Sequence, residues 1–292
     1  MPAASSAASA AGTITLGDLT VNRLGYGAMR ITGKGIWGPP SDRAAALATL
    51  RRAIELGVNF TDTADSYGPN ISEELIAEAL HPYPADLVIA TKGGWLRVGP
   101  GQWVHNASPA HLQQAVEGSL QRLRLDRIAV YQLHVPDPAV SFDASVECLA
   151  RLREEGKIQH VALSNVTLEH VERARGIVPI VSVQNRYSFA DREWDYLLNH
   201  CEQNGIAFIP WAPLGQNRHA HDLLDRAARE LNATPMQVAL AWLLARSKAT
   251  LPIPGTSSVP HVEENIAAAD LKLPNHIFQE LSAYKASPAV LR

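Results

Sequence analysis

The sequence predicts a single-domain α/β protein, a (β/α)8 barrel of the TIM type with an N-terminal β-hairpin. Three observations predict it. Short β-branched or apolar runs alternate with longer helical patterns from about residue 24 onward, which is how parallel strands joined by crossover helices read. About eight such runs occur with no linker or compositional break between them, and that number favours a closed barrel over an open sheet. Polar side chains stand at the carboxyl end of one run after another, where such a barrel gathers its chemistry.

Taken in chain order, residues 1–12, MPAASSAASAAG, are small and patternless and predict a disordered tail; without a charged start or a long apolar stretch they are neither signal peptide nor anchor. Residues 13–292 are assigned to the barrel domain. Residues 13–21, with a Gly17-Asp18 turn, predict the hairpin. Strands are expected at 24–29, 59–63, 87–91, 128–133, 160–163, 180–184, 207–210 and 250–253. Between them, Ser108 followed by Pro109 opens a helix with Leu112, Val116, Leu120 and Leu123 on one face. Thr234 and Gln237 form a capping box around Pro235. Gly57, Gly156, Gly176 and Gly205 fall where a left-handed residue would end a helix before the next strand.

Composition narrows the partner. A length of 292 residues matches one large α/β domain, and the formal net charge of −3 is spread without a basic stripe. This excludes an electrostatic footprint for nucleic acid or an anionic membrane and leaves a small molecule as the expected partner. No apolar stretch reaches the length of a bilayer span. Cys148 and Cys201 each lie inside an apolar helical pattern, so buried thiols in a reducing compartment are expected, and with them a cytoplasmic location.

The strand ends carry the chemistry. The second strand ends in Asp62 and runs through TDTADSYG to Tyr67; the third ends in Lys92; the fourth ends in His134 within YQLHVPD. Ser164 and Asn165, then Gln184 and Asn185, then Trp211 follow. These polar groups would be costly to bury singly, and a shared pocket accounts for them together. A carbonyl reduced by hydride needs a proton delivered to its developing oxyanion, and a phenol beside an ammonium is a competent acid. Lys92 fills that part for Tyr67, Asp62 would hold the ammonium in place, and His134 would direct the carbonyl oxygen. Singly, Asp62 reads equally as a loop cap, Tyr67 as a half-buried ring and His134 as a satisfied core histidine. The constellation outweighs its parts.

At these residues the chain resembles the aldo-keto reductase family, with matching motifs in order over nearly its whole length. They are GYGAM at 25–29, DTADSYG at 62–68, TK at 91–92, LHVPD at 133–137, LSN at 163–165, VQN at 183–185, WAPLG at 211–215 and IPGTSS with EEN at 253–265. The resemblance implies a catalytic tetrad of Asp62, Tyr67, Lys92 and His134, no metal, and NADPH as cofactor. It also implies that Ser164, Asn165 and Gln184 contact the nicotinamide carboxamide, an amide needing both donor and acceptor. Trp211 would stack on the nicotinamide ring, and Gly27, Ala28, Met29, Asp62, Pro213, Leu214 and Gly215 would line the cofactor. Gly255, Thr256, Ser257 and Ser258 would receive the adenosine phosphate, with Glu264 and Asn265 towards the adenine. The chain departs from the best-known members at the 2′-phosphate clamp, where Gly255 and His261 stand in place of a lysine and an arginine.

VNRLGYGAM, GPP at 38–40 and IPGTSS together resemble the bacterial branch that includes pyridoxal reductases. Trp37, Trp95 and Trp103 in expected loops would stack a small aromatic aldehyde, with Trp95, Tyr67 and His134 as substrate contacts. Two other classes of function compete. One is a cofactor-binding regulator with little turnover, as in the potassium-channel β subunits that resemble the same family. The other is an unrelated barrel aldolase or metal-dependent hydrolase, for which Tyr67 and Asp62 have no use and metal-ligand spacing is missing.

Overall fold

The structure is a computed structural model, and it describes residues 7–213 and 218–284. Strands β1 (Thr13–Leu16) and β2 (Leu19–Asn22) pair antiparallel around Gly17, whose φ of +67° suits its glycine. The expected hairpin is therefore present. Strands β3 (Tyr26–Gly27), β4 (Phe60–Asp62) and β5 (Val88–Gly93) follow, with helices α1 (Arg43–Glu55) and α2 (Ile71–Leu80) between them. A second antiparallel hairpin, β6 (Trp95–Gly99) and β7 (Gln102–His105), comes next, where only a loop was expected. The chain continues through α3 (Pro109–Leu123), β8 (Ile128–Leu133), α4 (Phe142–Glu154), β9 (Ile158–Ser164), α5 (Leu168–Arg175), β10 (Ile180–Arg186), α6 (Asp195–Gln203) and β11 (Ala207–Trp211). Helices α7 (Arg218–Leu231), α8 (Pro235–Arg246), α9 (Val259–Ala267) and α10 (Asn275–Ala283) complete it.

Seven parallel strands form one curled sheet in the order β3, β4, β5, β8, β9, β10, β11. Residues 249–254 close it. Leu251 N donates to Phe208 O at 2.8 Å on the β11 side, while Pro252 O and Pro254 O accept from Gly25 N at 2.9 Å and Gly27 N at 3.3 Å on the β3 side. The two prolines have no N–H, so on the β3 side the eighth stave bonds through its carbonyls alone and does not become a regular ladder strand. A Cβ on Gly27 would lie 2.6 Å from Ile253 O, so glycine is what allows this approach. The first strand is shorter than the expected 24–29, because Ala28–Ile31 turn at once into a 3₁₀ helix.

The interior is layered by the two-residue period of the strands. Phe60, Ala90, Val130, Ala162, Ala207 and Leu251 fill the lower barrel with Leu16 and Val21, so the N-terminal hairpin plugs the bottom. Two residues further along the strands, Phe60 gives way to Asp62, Ala90 to Lys92, Val130 to Gln132 and Ala162 to Ser164, all buried. Apolar contacts thus support a polar layer at the carboxyl end.

Several local expectations hold and two do not. Ser108 caps α3 ahead of Pro109, and the Thr234/Gln237 box caps α8. Gly57, Gly156 and Gly205 have positive φ, but Gly176, at φ −69°, ends α5 in the right-handed region. Ala7–Ala11 form a 3₁₀ helix with Ala8 fully buried and its N–H bonded to Leu56 O at 3.0 Å, so the disordered tail does not extend over these residues. The small side chains that gave no helical period there are what let the backbone pack against the end of α1. Cys148 and Cys201 are buried free thiols.

Candidate active site

Asp62, Lys92 and Gln132 reach the barrel mouth from β4, β5 and β8, and Tyr67 arrives on the loop after β4. That loop is tied down at several points. Asp65 N donates to Lys92 O at 3.2 Å, Asn70 N to Asp65 O at 2.7 Å, and Thr63 Oγ1 to Ser72 Oγ at 2.8 Å. Ser72 Oγ in turn donates to Ala28 O at 3.1 Å, linking the start of α2 to the first strand's loop.

Lys92 is fully buried and has three partners for its three N–H bonds: Asp62 Oδ1 at 2.6 Å, Thr63 O at 2.8 Å and Tyr67 Oη at 3.3 Å. The ammonium therefore donates into the phenol oxygen and leaves the phenol's own proton available to another acceptor. The second carboxylate oxygen of Asp62 accepts from Gln132 Nε2 and Gln184 Nε2, each at 2.8 Å. Burial alone would discharge Lys92, but Asp62 and Tyr67 outweigh it and hold its pKa above the ordinary value. Tyr67 lies above its ordinary value too, because burial and the Asp62 charge exceed the acidifying pull of Lys92. The expected action of the ammonium is present but does not dominate.

His134 lies edge-on to Tyr67, ring centroids 5.8 Å apart, with Nδ1 3.4 Å from Ser66 Oγ. Burial and the Lys92 charge hold its pKa well below the ordinary value, so the ring is neutral at neutral pH. Above it, the hairpin β6–β7 contributes an aromatic wall. Trp95 and Trp103 stand 6.4 and 6.5 Å from the His134 ring, and His105 lies 4.3 Å from Trp95. Of the three tryptophans singled out in the sequence, Trp95 and Trp103 face His134 equally, and Trp37 lies beside Arg97.

The residues assigned to the cofactor divide. Gln184 and Ser164 are buried beneath the mouth and Asn165 is exposed at its rim, where its side chain donates to His134 O at 3.0 Å. Gln184 uses its amide on Asp62 and Gln132 and keeps its carbonyl oxygen open among the described residues, so it serves as an acceptor. Trp211, the last residue of β11, and Pro213 just past it are half-buried; Leu214 and Gly215 lie outside the described residues. Gly27 and Ala28 are buried and Met29 half-buried beside the last loop, where a Cβ on Gly255 would meet Gly27 O at 2.5 Å. A lysine at that position is therefore sterically closed. Thr256 Oγ1 lies 3.5 Å from His261 Nδ1 and accepts from Ser258 N at 3.1 Å. Glu264 Oε1 accepts from Thr234 Oγ1 at 2.6 Å, which fastens α9 to the cap of α8, and Asn265 is buried.

Sequence reasoning missed three features. Gln132 stands on β8 two residues before His134, which directly follows the strand, and that two-residue period could have placed it in the site. Arg30 and Lys34 line a cavity of about 420 Å³ with Ser41 and Ser257, and neither cation has an ion-pair partner among the described residues. Asp65 is buried, its Oδ1 without a hydrogen-bond partner among the described residues; burial, then the nearby Glu73 carboxylate, push its pKa up to about 8.

A buried Asp–Lys–Tyr network beside a neutral histidine thus stands at the carboxyl end of the parallel barrel. The model of the Aldo/keto reductase family matches residues 23–285, and the chain belongs to that family. It is 48% identical over 283 residues to an uncharacterised oxidoreductase of Schizosaccharomyces pombe, covering 96% of this chain and 92% of that one. It is 47% identical over 276 residues to pyridoxine 4-dehydrogenase of Escherichia coli, covering 92% and 96%. An aldo-keto reductase from Klebsiella pneumoniae in complex with NADPH superposes with a TM-score of 0.77 at 27% identity, covering 92% and 93%. The protein is thus an enzyme, a nicotinamide-dependent oxidoreductase. Among the described residues no helix is long and apolar enough to cross a membrane.

Proposed function

We propose that this enzyme reduces a small aldehyde, of the flat aromatic kind that pyridoxal represents, to its alcohol with NADPH. The observation that carries the proposal is the three-way bonding of Lys92, which orients Tyr67 with its proton free. When bound, the reduced nicotinamide supplies the hydride. Tyr67 delivers the proton to the oxygen as negative charge develops there, Lys92 stabilises the resulting phenolate, and Asp62 keeps Lys92 charged. Neutral His134 donates a hydrogen bond that fixes the carbonyl's direction. The open carbonyl oxygen of Gln184 and the side chains of Ser164 and Asn165 fit a carboxamide, and Trp211 offers a half-buried face for a planar ring.

Preference for NADPH over NADH is supported by Arg30 and Lys34, which share a cavity with Ser257, have no ion-pair partner among the described residues and suit an additional phosphate. Of the acidic residues at this end, Asp42 lines the same cavity and accepts from Ala45 N at 2.8 Å as the cap of α1, and Glu263 pairs with Arg52 at 2.7 Å. Two buried free thiols agree with a reducing, cytoplasmic setting. The test is to follow absorbance loss of NADPH and of NADH with a panel of aromatic and aliphatic aldehydes. Saturable turnover with NADPH and a much weaker response with NADH is the expected result; tighter use of NADH refutes the cofactor reading, and no turnover with any aldehyde refutes the activity.

A further inference from the structure

Arg97 projects from β6 into the junction of three loops. Its Nε donates to Gln102 O at 3.1 Å; Nη1 donates to Ile36 O at 2.7 Å and Ser66 O at 2.9 Å; Nη2 donates to Gly35 O at 2.9 Å and Gly99 O at 3.5 Å. A guanidinium has five N–H bonds, and all five end on backbone carbonyls. These carbonyls belong to the loop ahead of α1, to the loop that carries Tyr67, and to the hairpin β6–β7 itself. The face of the same group lies 3.7 Å from the Trp103 ring centroid and 5.8 Å from that of Trp37. Trp103 in turn stands edge-on to Trp95 and to His134.

This bonding decides what Arg97 does. With its donors saturated it is no ligand for a substrate anion, and no ion pair to a carboxylate holds it among the described residues. It holds positions instead. The carbonyl of Ser66 immediately precedes Tyr67, so one guanidinium sets the distance between the proton-donating loop and the tryptophan wall. An aliphatic aldehyde needs only the first of these; a flat aromatic aldehyde needs both, since its ring must lie against the wall while its carbonyl meets Tyr67 and His134.

We infer that Arg97 is a positioning residue that sets the enzyme's preference for flat aromatic over aliphatic aldehydes. The inference rests on the proposed reduction at Tyr67 and goes beyond it by naming what fixes the substrate wall. It is tested with pyridine-4-carbaldehyde and propanal as probes, measuring kcat and KM with saturating NADPH for the wild type, Arg97→Gln, Arg97→Lys and Trp103→Leu. Arg97→Gln should lower the ratio of kcat/KM for the aromatic over the aliphatic aldehyde about tenfold, mainly through KM, as expected for a cation–π contact and its paired ring. Arg97→Lys should not rescue it, because an ammonium has three donors and no planar face. Trp103→Leu, which leaves the carbonyl bonds of Arg97 in place, should lower the same ratio and keeps the test alive if the Arg97 variants do not fold. A ratio within twofold of wild type in the folded variants, whatever happens to their melting temperature, overturns the inference, as does a wild type with no aromatic preference. A wild type that reduces neither aldehyde refutes the underlying activity instead.

Discussion

Lys92 and Asp62 form a buried pair whose second carboxylate oxygen is closed by Gln132 and Gln184. Removing one partner strands the other's charge, which typically costs about 3–5 kcal/mol, so Lys92→Met should be clearly less stable than the wild type. It should also raise the apparent pKa of the proton-donating group, since the one acidifying influence on Tyr67 is lost. Because the two residues act as a unit, an Asp62→Asn, Lys92→Met double variant should be little worse in kcat/KM than the worse single one. Strictly additive losses across the four proteins would contradict that. Asp65 offers a pH test. Its carboxyl keeps its proton in the folded state up to about pH 8, whereas an unfolded aspartate loses it near pH 4. The folded state then binds the extra proton between those values, so this residue's contribution is fully present below about pH 4 and is lost as pH rises towards 8. Asp65→Asn, which mimics the protonated acid, should match the wild type in urea unfolding near pH 4 and exceed it by more than about 1 kcal/mol near pH 8. A constant difference across that range would show that Asp65 is ionised in the fold.

At the scale of elements, what was legible followed strand period and caps. Asp62, Lys92 and His134 each end a run of alternating or apolar residues, so their convergence could be read from the chain. The partners of Asp62 could not, because which amides meet at the centre depends on the register between β4, β8 and β10. The hairpin β6–β7 escaped because its exposed apolar residues, Leu96, Val98 and Val104, resemble a loop's scatter, although Pro100-Gly101 marks its turn. The eighth stave was located correctly, but its prolines leave only carbonyls to bond on the β3 side. That closure carries a prediction. A Cβ at Gly255 would press on the Gly27 backbone, and that contact has no flexible side chain to yield. Gly255→Ala should therefore destabilise by about 1–3 kcal/mol and weaken NADPH binding, measured by quenching of tryptophan fluorescence. Wild-type stability and affinity in that variant would mean that the two loops are not in contact.

Across the whole molecule, the hairpin-plugged apolar floor, the polar layer above it and the aromatic hairpin over the mouth place chemistry at one end of the barrel. The floor excludes water from beneath Asp62 and Lys92, which strengthens the relay that orients Tyr67. Everything in the proposed reaction passes through that phenol. The most direct measurement is therefore the rate of aldehyde reduction by Tyr67→Phe beside its NADPH dissociation constant from tryptophan quenching. Loss of the proton donor should cost about 10²–10⁴-fold in kcat while the dissociation constant stays within about twofold, since one oxygen is removed and little volume. Turnover at the wild-type rate in that variant would contradict the account and move the search for the acid to His134.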